Sequence, residues 1–292
     1  MASVDSPARL RAALGGVRAL LLDLDGVIVL KGELLAGAGE ALLRLDARDI
    51  PFRIVTNTSL ISRRSLSSWG DRLGAPIAPE RIMSALSASA AYTRHRHPGG
   101  PLFVIASADA LTEFADQRLL TAEEADRPTA QAAAVVVGDA PEAITYDNLN
   151  RAFRLVRRGA ELVGMHRNPW WLTPDGPTLD SGAMVTGLEF ATERRARILG
   201  KPSPAFFREA AAELGAEVRA AGGRRLTRNE IAMVGDDVRT DCIAASRVGL
   251  RTAFVLTGKH GLGDVETAAR ERGGRRPDTI APTLLDLVDA LP

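Results

Sequence analysis

The stretch LLLDLDGVIV, Leu20 to Val29, sets two carboxylates two residues apart at the end of an apolar run. The run ALLLDL (19–24) is short and continuously apolar up to its acids, the pattern of a strand buried on both faces of a parallel sheet. Residues two apart on a strand share a face, so Asp23 and Asp25 fall together at the carboxyl end, just before Gly26. In open α/β sheets ligands bind at that edge. Two like charges held there repel each other and demand a cation. A calcium-binding hand needs an oxygen donor at its fifth position and glycine at its sixth; Val27 and Ile28 stand there instead. A dinucleotide-binding turn is also excluded, because DLDGVIV occupies the place of GxGxxG.

Six more apolar runs read as strands: FRIVTN (52–57), LFVIAS (102–107), AAVVVG (133–138), ELVGMH (161–166), IAMVGD (231–236) and TAFVLTG (252–258). Residues 38–48, 146–156 and 204–214 carry apolar positions three and four apart, the helical spacing. Strands alternating with helices predict an α/β fold, a Rossmann-like doubly wound parallel sheet. Candidate joints are the turn cluster HRHPGGP (95–101) and the stretch GLEFATERRARILGKPSP (187–204). The α/β block between them separates two blocks with acidic strand ends, so it reads as a domain inserted into another domain.

The totals fit such a protein. In 292 residues, 46% are hydrophobic and 25% charged, with a formal net charge of +1. That is enough for sizeable cores, and bulk charge predicts neither nucleic-acid nor membrane binding. The single cysteine, Cys242, forms no intrachain disulfide and is expected to pack as a small residue. The N-terminus has no apolar segment of signal-peptide length, and no window approaches a membrane span, so a cytoplasmic location is expected. The basic run Arg270–Arg276 and the His95/His97 cluster read as solvated turns.

A second acidic strand end, MVGDDVRTD, brings Asp236, Asp237 and Asp241, with Gly235 allowing a tight backbone turn before them. Asp241 is expected in a first helical turn, where a carboxylate suits the dipole. Together with DLDG, these acids suggest hard oxygen ligands around Mg²⁺. FRIVTNTS ends a strand on Thr56, Asn57, Thr58 and Ser59, whose hydroxyl, amide and N–H groups suit phosphate oxygens or a helix N-cap. GKPSP supplies Lys201, a cation able to neutralise a bound phosphate.

The order DxDG, TN at a strand end, Lys-Pro, then GDDxxxD resembles the haloacid dehalogenase superfamily of phosphatases over nearly the whole chain. More narrowly it resembles the NagD-like subfamily IIA, with a large C2-type α/β cap. The segments NRAFRLVRRGAELVGMH, VTGLEFAT, GKPSPAFF and MVGDDVRTDCIAASRVGLRTAFVLTGKH are most similar to its haloacid dehalogenase-like hydrolase domain-containing group and its phospholysine phosphohistidine inorganic pyrophosphate phosphatase group. The resemblance implies a discontinuous core of residues 1–86 and 192–292, a cap of residues 87–191, and homodimerisation through the cap.

It also implies roles. Asp23 is the nucleophile and Asp25 the general acid and base. Mg²⁺ is held by Asp23, the Asp25 backbone carbonyl and Asp236, with Asp241 orienting the metal's water. Asp237 ranks below Asp236 and Asp241. Thr56, Asn57 and Lys201 bind the phosphoryl group. The implied activity is Mg²⁺-dependent hydrolysis of a small phosphorylated metabolite. The alternatives are phosphoryl transfer to another acceptor, as in mutases, and a non-catalytic phosphate-binding scaffold. The loop GMHRNPWWLTPDG (164–176) departs from the Thr-Asn-Pro-Asp of NagD-type relatives. It offers His166, Asn168, Trp170, Trp171 and Asp175 as specificity residues, with core or subunit packing as the alternative for the tryptophans and a satisfied histidine for His166.

Overall fold

A computed structural model describes residues 2–292. The chain divides into two compact units, one of residues 2–56, 67–83 and 201–292, the other of residues 57–66 and 84–200. The expected joints at 86/87 and 191/192 lie three and nine residues inside the ends of the longer segment, 84–200, of the second unit.

The first unit is built on a six-stranded sheet. Its strand order is Thr279–Ala281, Arg251–Val255, Ile231–Gly235, Ala19–Leu22, Phe52–Thr56, Ile82–Ser84. Ala19–Leu22 pairs in parallel with Ile231–Gly235 on one side and Phe52–Thr56 on the other. The strand order therefore reverses around it, which makes its carboxyl end a topological switch point, the ligand-binding position in such sheets. All four of its residues are buried, as expected of a strand covered on both faces.

The strand is shorter than the sequence predicts. It stops at Leu22, not Leu24. The carbonyl of Leu24 accepts the N–H groups of Ile28 and Val29, at 2.9 and 3.0 Å, and this tight turn removes it from the ladder. Gly26 makes the turn feasible at φ 78°, a conformation costly for any residue with a Cβ.

The helix Pro204–Ala220 opens on proline, whose missing N–H costs nothing in a first turn. It buries Phe206, Phe207, Ala210 and Leu214; each phenylalanine contributes roughly 2–3 kcal/mol of apolar burial. The apolar spacing ends near Leu214, yet the helix runs a further turn and a half. Its polar face continues the packing: Glu213 and Glu217 pair with the buried Arg53 at 2.9 and 3.1 Å. Cys242 is buried among Val238, Ile243, Phe254 and Val265, a packing residue as expected.

The second unit carries a four-stranded sheet in the order Arg197–Ile198, Glu161–Gly164, Ala134–Val137, Leu102–Ile105, parallel throughout. Alternate residues of Ala134–Val137 feed two cores. Val135 and Val137 meet Ala152, Leu155 and Val156 of the helix Tyr146–Arg157 and Val185 and Leu188 of the helix Gly182–Thr192. Ala134 and Val136 meet Ala85, Leu86 and Ala90 of the helix Ala85–Arg96, together with Phe114. Burial on both faces is why AVVV carries no polar alternation.

Two readings of the sequence are corrected here. The Trp pair is not core: Trp170–Thr173 and Gly176–Leu179 form an antiparallel hairpin on which Trp170 and Trp171 are 43% and 37% exposed. The histidine cluster is not a simple solvated turn. His95 lies in the last turn of the helix Ala85–Arg96 and His97 caps it, with His97 Nε2 2.7 Å from Glu161 Oε2 on a carboxylate that Tyr92 and Arg197 also bind. Among the described residues, no helix is long and apolar enough to cross a membrane.

Candidate active site

Asp23 follows the central strand directly, and its N–H still donates to Val234 across the sheet at 2.9 Å. Its carboxylate is therefore fixed at the switch point. Lys201 is buried beside it, with Nζ 2.6 Å from Asp23 Oδ1 and 2.8 Å from Asp241 Oδ1. One ammonium thus ties the end of the first strand to the turn that follows Ile231–Gly235. Burial alone would strip the proton from Lys201, but Asp23 and then Asp241 outweigh it and hold the lysine charged.

Asp236 completes the cluster. Oxygens of Asp23, Asp236 and Asp241 all lie within 4.8 Å of one another. The Lys259 N–H donates to Asp236 Oδ2 at 2.8 Å. A Cβ on Gly26 or on Gly258 would strike the Asp236 carboxylate, so the two glycines form the slot that holds it. Gly235 has a related purpose. Its φ lies outside the left-handed region, so it is not there for the tight turn the sequence suggested; a Cβ at that position would collide with the Asp241 carboxylate.

The electrostatics show what the cluster lacks. Three carboxylates and one ammonium leave two negative charges out of water. Burial raises the carboxyl pKa of Asp236, and Asp241 raises it further. Burial likewise raises that of Asp23, which Lys201 pulls back only in part. Asp241 is pushed up to about 7 by burial despite Lys201. An all-oxygen donor set with two uncompensated charges fits one hard divalent cation. Asp237 behaves differently. Burial works to raise its pKa, but Lys259 (3.0 Å), the Thr240 N–H and His260 hold it at about 2. Its side chain caps the helical turn Val238–Ile243 by accepting the N–H groups of Arg239 and Thr240. That turn has the wider π-type winding, and Asp241 sits within it, not in an ordinary first helical turn.

Asp25 is exposed, and its backbone bridges to Val29. Thr56 is buried as the last residue of its strand.

The second unit gathers other candidates. Asn57 Nδ2 donates to Asn168 Oδ1 at 3.2 Å. The Asn168 N–H donates to His166 Nδ1 at 3.3 Å. His166 Nε2 faces Ser59 Oγ at 3.2 Å, Ser181 Oγ at 3.3 Å and Asp180 Oδ1 at 3.5 Å. The Asp139 N–H donates to Ser59 Oγ at 2.8 Å. His166 is 2% exposed, and burial lowers its pKa to about 4 against the pull of Asp139. Asn57, His166 and Asn168 are thus one network. Trp170 and Trp171 belong to the exposed hairpin, and Asp175 occupies its exposed turn.

Comparison with known proteins agrees with this geometry. The family described as haloacid dehalogenase-like hydrolase matches residues 20–119, and the one described as HAD-hydrolase-like matches residues 198–287. Haloacid dehalogenase-like hydrolase domain-containing protein 2 of Mus musculus is 34% identical over 255 residues, covering 87% of this chain and 90% of the relative.

The chain belongs to the haloacid dehalogenase-like hydrolase family. It is a hydrolase of that family's NagD-like branch. Phospholysine phosphohistidine inorganic pyrophosphate phosphatase of Rattus norvegicus is 31% identical over 284 residues, 95% of each chain. The solved glycerol phosphate phosphatase of Mycobacterium tuberculosis in complex with magnesium is similar with a TM-score of 0.77 and 27% identity, over 98% of this chain and 78% of that one.

Several residues of this haloacid dehalogenase-like hydrolase escaped the sequence. Asp139 was legible in principle, since VVVGDA repeats the strand-Gly-Asp pattern of MVGDD. Lys259 follows a strand end in TGKH, but nothing local couples it to Asp237. Asp180 and Ser181 precede a helix and read as capping residues; only the fold brings them to His166.

Proposed function

We propose that this chain is a Mg²⁺-dependent phosphatase that hydrolyses a small-molecule phosphate monoester through an aspartyl-phosphate on Asp23. The observation that carries this reading is the buried cluster of Asp23, Asp236 and Asp241 around Lys201, two negative charges in excess. Magnesium would be held by Asp23, Asp236 and the backbone carbonyl of Asp25, and when bound it supplies the positive charge that lets an anionic nucleophile meet an anionic phosphoryl group.

Each residue has work that suits its place. Lys201 keeps Asp23 ionised, and hence nucleophilic, in a site whose burial favours the neutral acid. Asp23 oxygen attacks phosphorus and the leaving oxygen departs with a proton from Asp25. Asp25 is exposed, as suits a group that exchanges protons, and it then takes a proton from the water that cleaves the acyl phosphate. Thr56 and Asn57 orient the phosphoryl oxygens, and Asp241 positions Lys201 and the metal's water. The second unit carries the residues that choose the substrate.

The substrate is a phosphorylated metabolite. The phosphatases named above differ in what their names say they act on, and the loop 164–176 departs from the NagD pattern, so no single one of those compounds is transferred to this chain. Phosphoryl transfer to a second acceptor is the other reading of the same cluster. Incubation with p-nitrophenyl phosphate and Mg²⁺, following nitrophenol and inorganic phosphate together, tests the proposal. Equal amounts of the two products are expected. Nitrophenol without phosphate would mean transfer, and neither product over a panel of phosphate esters would mean a scaffold without turnover.

A further inference from the structure

His166 is almost fully buried at the carboxyl end of the strand Glu161–Gly164, in a hydrolase whose proposed chemistry lies with carboxylates and a lysine. It sits among two serines and an aspartate, so a nucleophilic triad must be considered first. The geometry rules one out. In a triad the acid binds one ring nitrogen and the hydroxyl the other. Here Ser59, Ser181 and Asp180 all face Nε2, and Nδ1 is taken by a backbone N–H. Asp180 thus shares a ring nitrogen with the two hydroxyls instead of orienting the ring from the other one.

The same geometry defines another role. Nδ1 accepts the Asn168 N–H, so Nδ1 carries no proton and the ring's hydrogen is on Nε2, shared among the oxygens around it. Two of those groups are themselves fixed. The Asp139 N–H donates to Ser59 Oγ, and the Ser181 N–H donates to Asp180 Oδ1 at 2.7 Å. The ring thus stands on a buried polar base and holds the backbone of Asn168, which Pro169 follows.

Asn168 then acts on Asn57. A carboxamide has two nearly isosteric orientations, differing by exchange of oxygen and nitrogen. With Asn168 Oδ1 as acceptor, Asn57 must turn Nδ2 toward it, and its Oδ1 lies against Gly200, where a Cβ would collide with it. The place of the Asn168 carboxamide therefore bears directly on that of Asn57.

We propose that His166 is a positioning residue: by holding the Asn168 backbone it places the Asn168 carboxamide, and so the Asn57 side chain bonded to it, where Asn57 can order a phosphoryl group. This rests on the reading of Asn57 as a phosphate-orienting residue. His166 itself touches no substrate, so its place in the specificity loop is a support, not a contact. Protonation of the ring would set an N–H on Nδ1 against the N–H of Asn168 and break the chain of bonds at its first link. Burial, which favours the neutral ring, protects against this.

The test is a double-mutant cycle on the full chain, with p-nitrophenyl phosphate and saturating Mg²⁺. His166→Leu is expected to lower kcat/KM by about tenfold or more, the scale of a misplaced positioning group. His166→Asn, whose side-chain oxygen can replace Nδ1, is expected to recover to within about threefold of wild type. In an Asn57→Ala background the effect of His166→Leu is expected to vanish, while its loss of thermal stability persists. If His166→Leu fails to fold, Asn168→Ala breaks the next link, the side-chain bond to Asn57, at a partly exposed position and should show the same masking by Asn57→Ala. Equal losses in both backgrounds, or an Asn variant as impaired as the Leu variant, overturn the positioning role and leave Asn57 standing. Wild-type kcat/KM in Asn57→Ala alone overturns the reading of Asn57, and the proposal with it.

Discussion

Lys201 Nζ and Asp23 Oδ1 stand 2.6 Å apart in a buried site, and the same ammonium reaches Asp241. Removing one partner of a buried charge pair costs about 3–5 kcal/mol, because the other charge is left without compensation. Lys201→Met strands two carboxylates at once. It is expected to destabilise the protein by that amount and to abolish turnover. Lys201→Arg is not expected to restore it, since a planar guanidinium does not fit a slot made for a compact ammonium. Chemical denaturation with an activity assay checks both, and a Lys201→Met protein of wild-type stability would contradict the pairing.

Asp23→Asn tests the nucleophile. Lys201 keeps Asp241 as a partner, so the fold is expected to survive with a cooperative unfolding transition. Turnover is expected to fall by about 10⁴-fold or more, as when other enzymes lose their nucleophile. Phosphate release near the wild-type rate from well-folded Asp23→Asn would assign the attack to another group.

Chelation should reveal the cation. EDTA is expected to abolish hydrolysis of p-nitrophenyl phosphate and excess Mg²⁺ to restore it. A ligand at 100 times its Kd stabilises by about 2.7 kcal/mol, so Mg²⁺ should also raise the Tm of the chelated protein. Asp236→Ala, which removes one of the proposed ligands, should remove that thermal shift. A Tm indifferent to Mg²⁺ in the wild type would place the metal elsewhere or nowhere.

Acid should expose His166. Its pKa is about 4 in the fold against an ordinary 6.5. Between these values the unfolded chain holds a proton that the folded chain does not. Stability present at pH 7 is therefore lost as the pH falls from about 6.5 to about 4. Asp139 acts with the opposite sign. Burial, then Asp180, raises its pKa from 3.8 to about 6, so its contribution is lost as the pH rises through that window. Comparison with His166→Asn isolates the histidine. The stability of the wild type relative to that variant is expected to fall by roughly 3 kcal/mol between pH 7 and pH 4. Parallel stability curves would show that His166 is not held neutral.

The acids that meet in the buried cluster were legible because they obey local rules. A buried strand can tolerate carboxylates only at its end, so the acids of DLDG and MVGDD marked the sheet edge without any structure. Strand interiors were legible too, since AVVV and ALLL are apolar throughout, as burial on both faces demands. Strand ends were less so: Leu24 is as apolar as Leu22, and only the hydrogen bonds to its carbonyl take it out of the ladder.

By itself the sequence determined the α/β alternation, the acidic strand ends and the family, because each depends on residues near one another in the chain or on their order along it. Tertiary structure alone decided that Lys201 lies between Asp23 and Asp241, and that Ser59, Asp139, Asp180 and Ser181 surround one histidine. Apart from Asp180 and Ser181, which follow His166 by 14 and 15 residues, those contacts join segments 40 to 178 residues apart, and whether such groups meet is set by strand order and crossover, which no local pattern encodes.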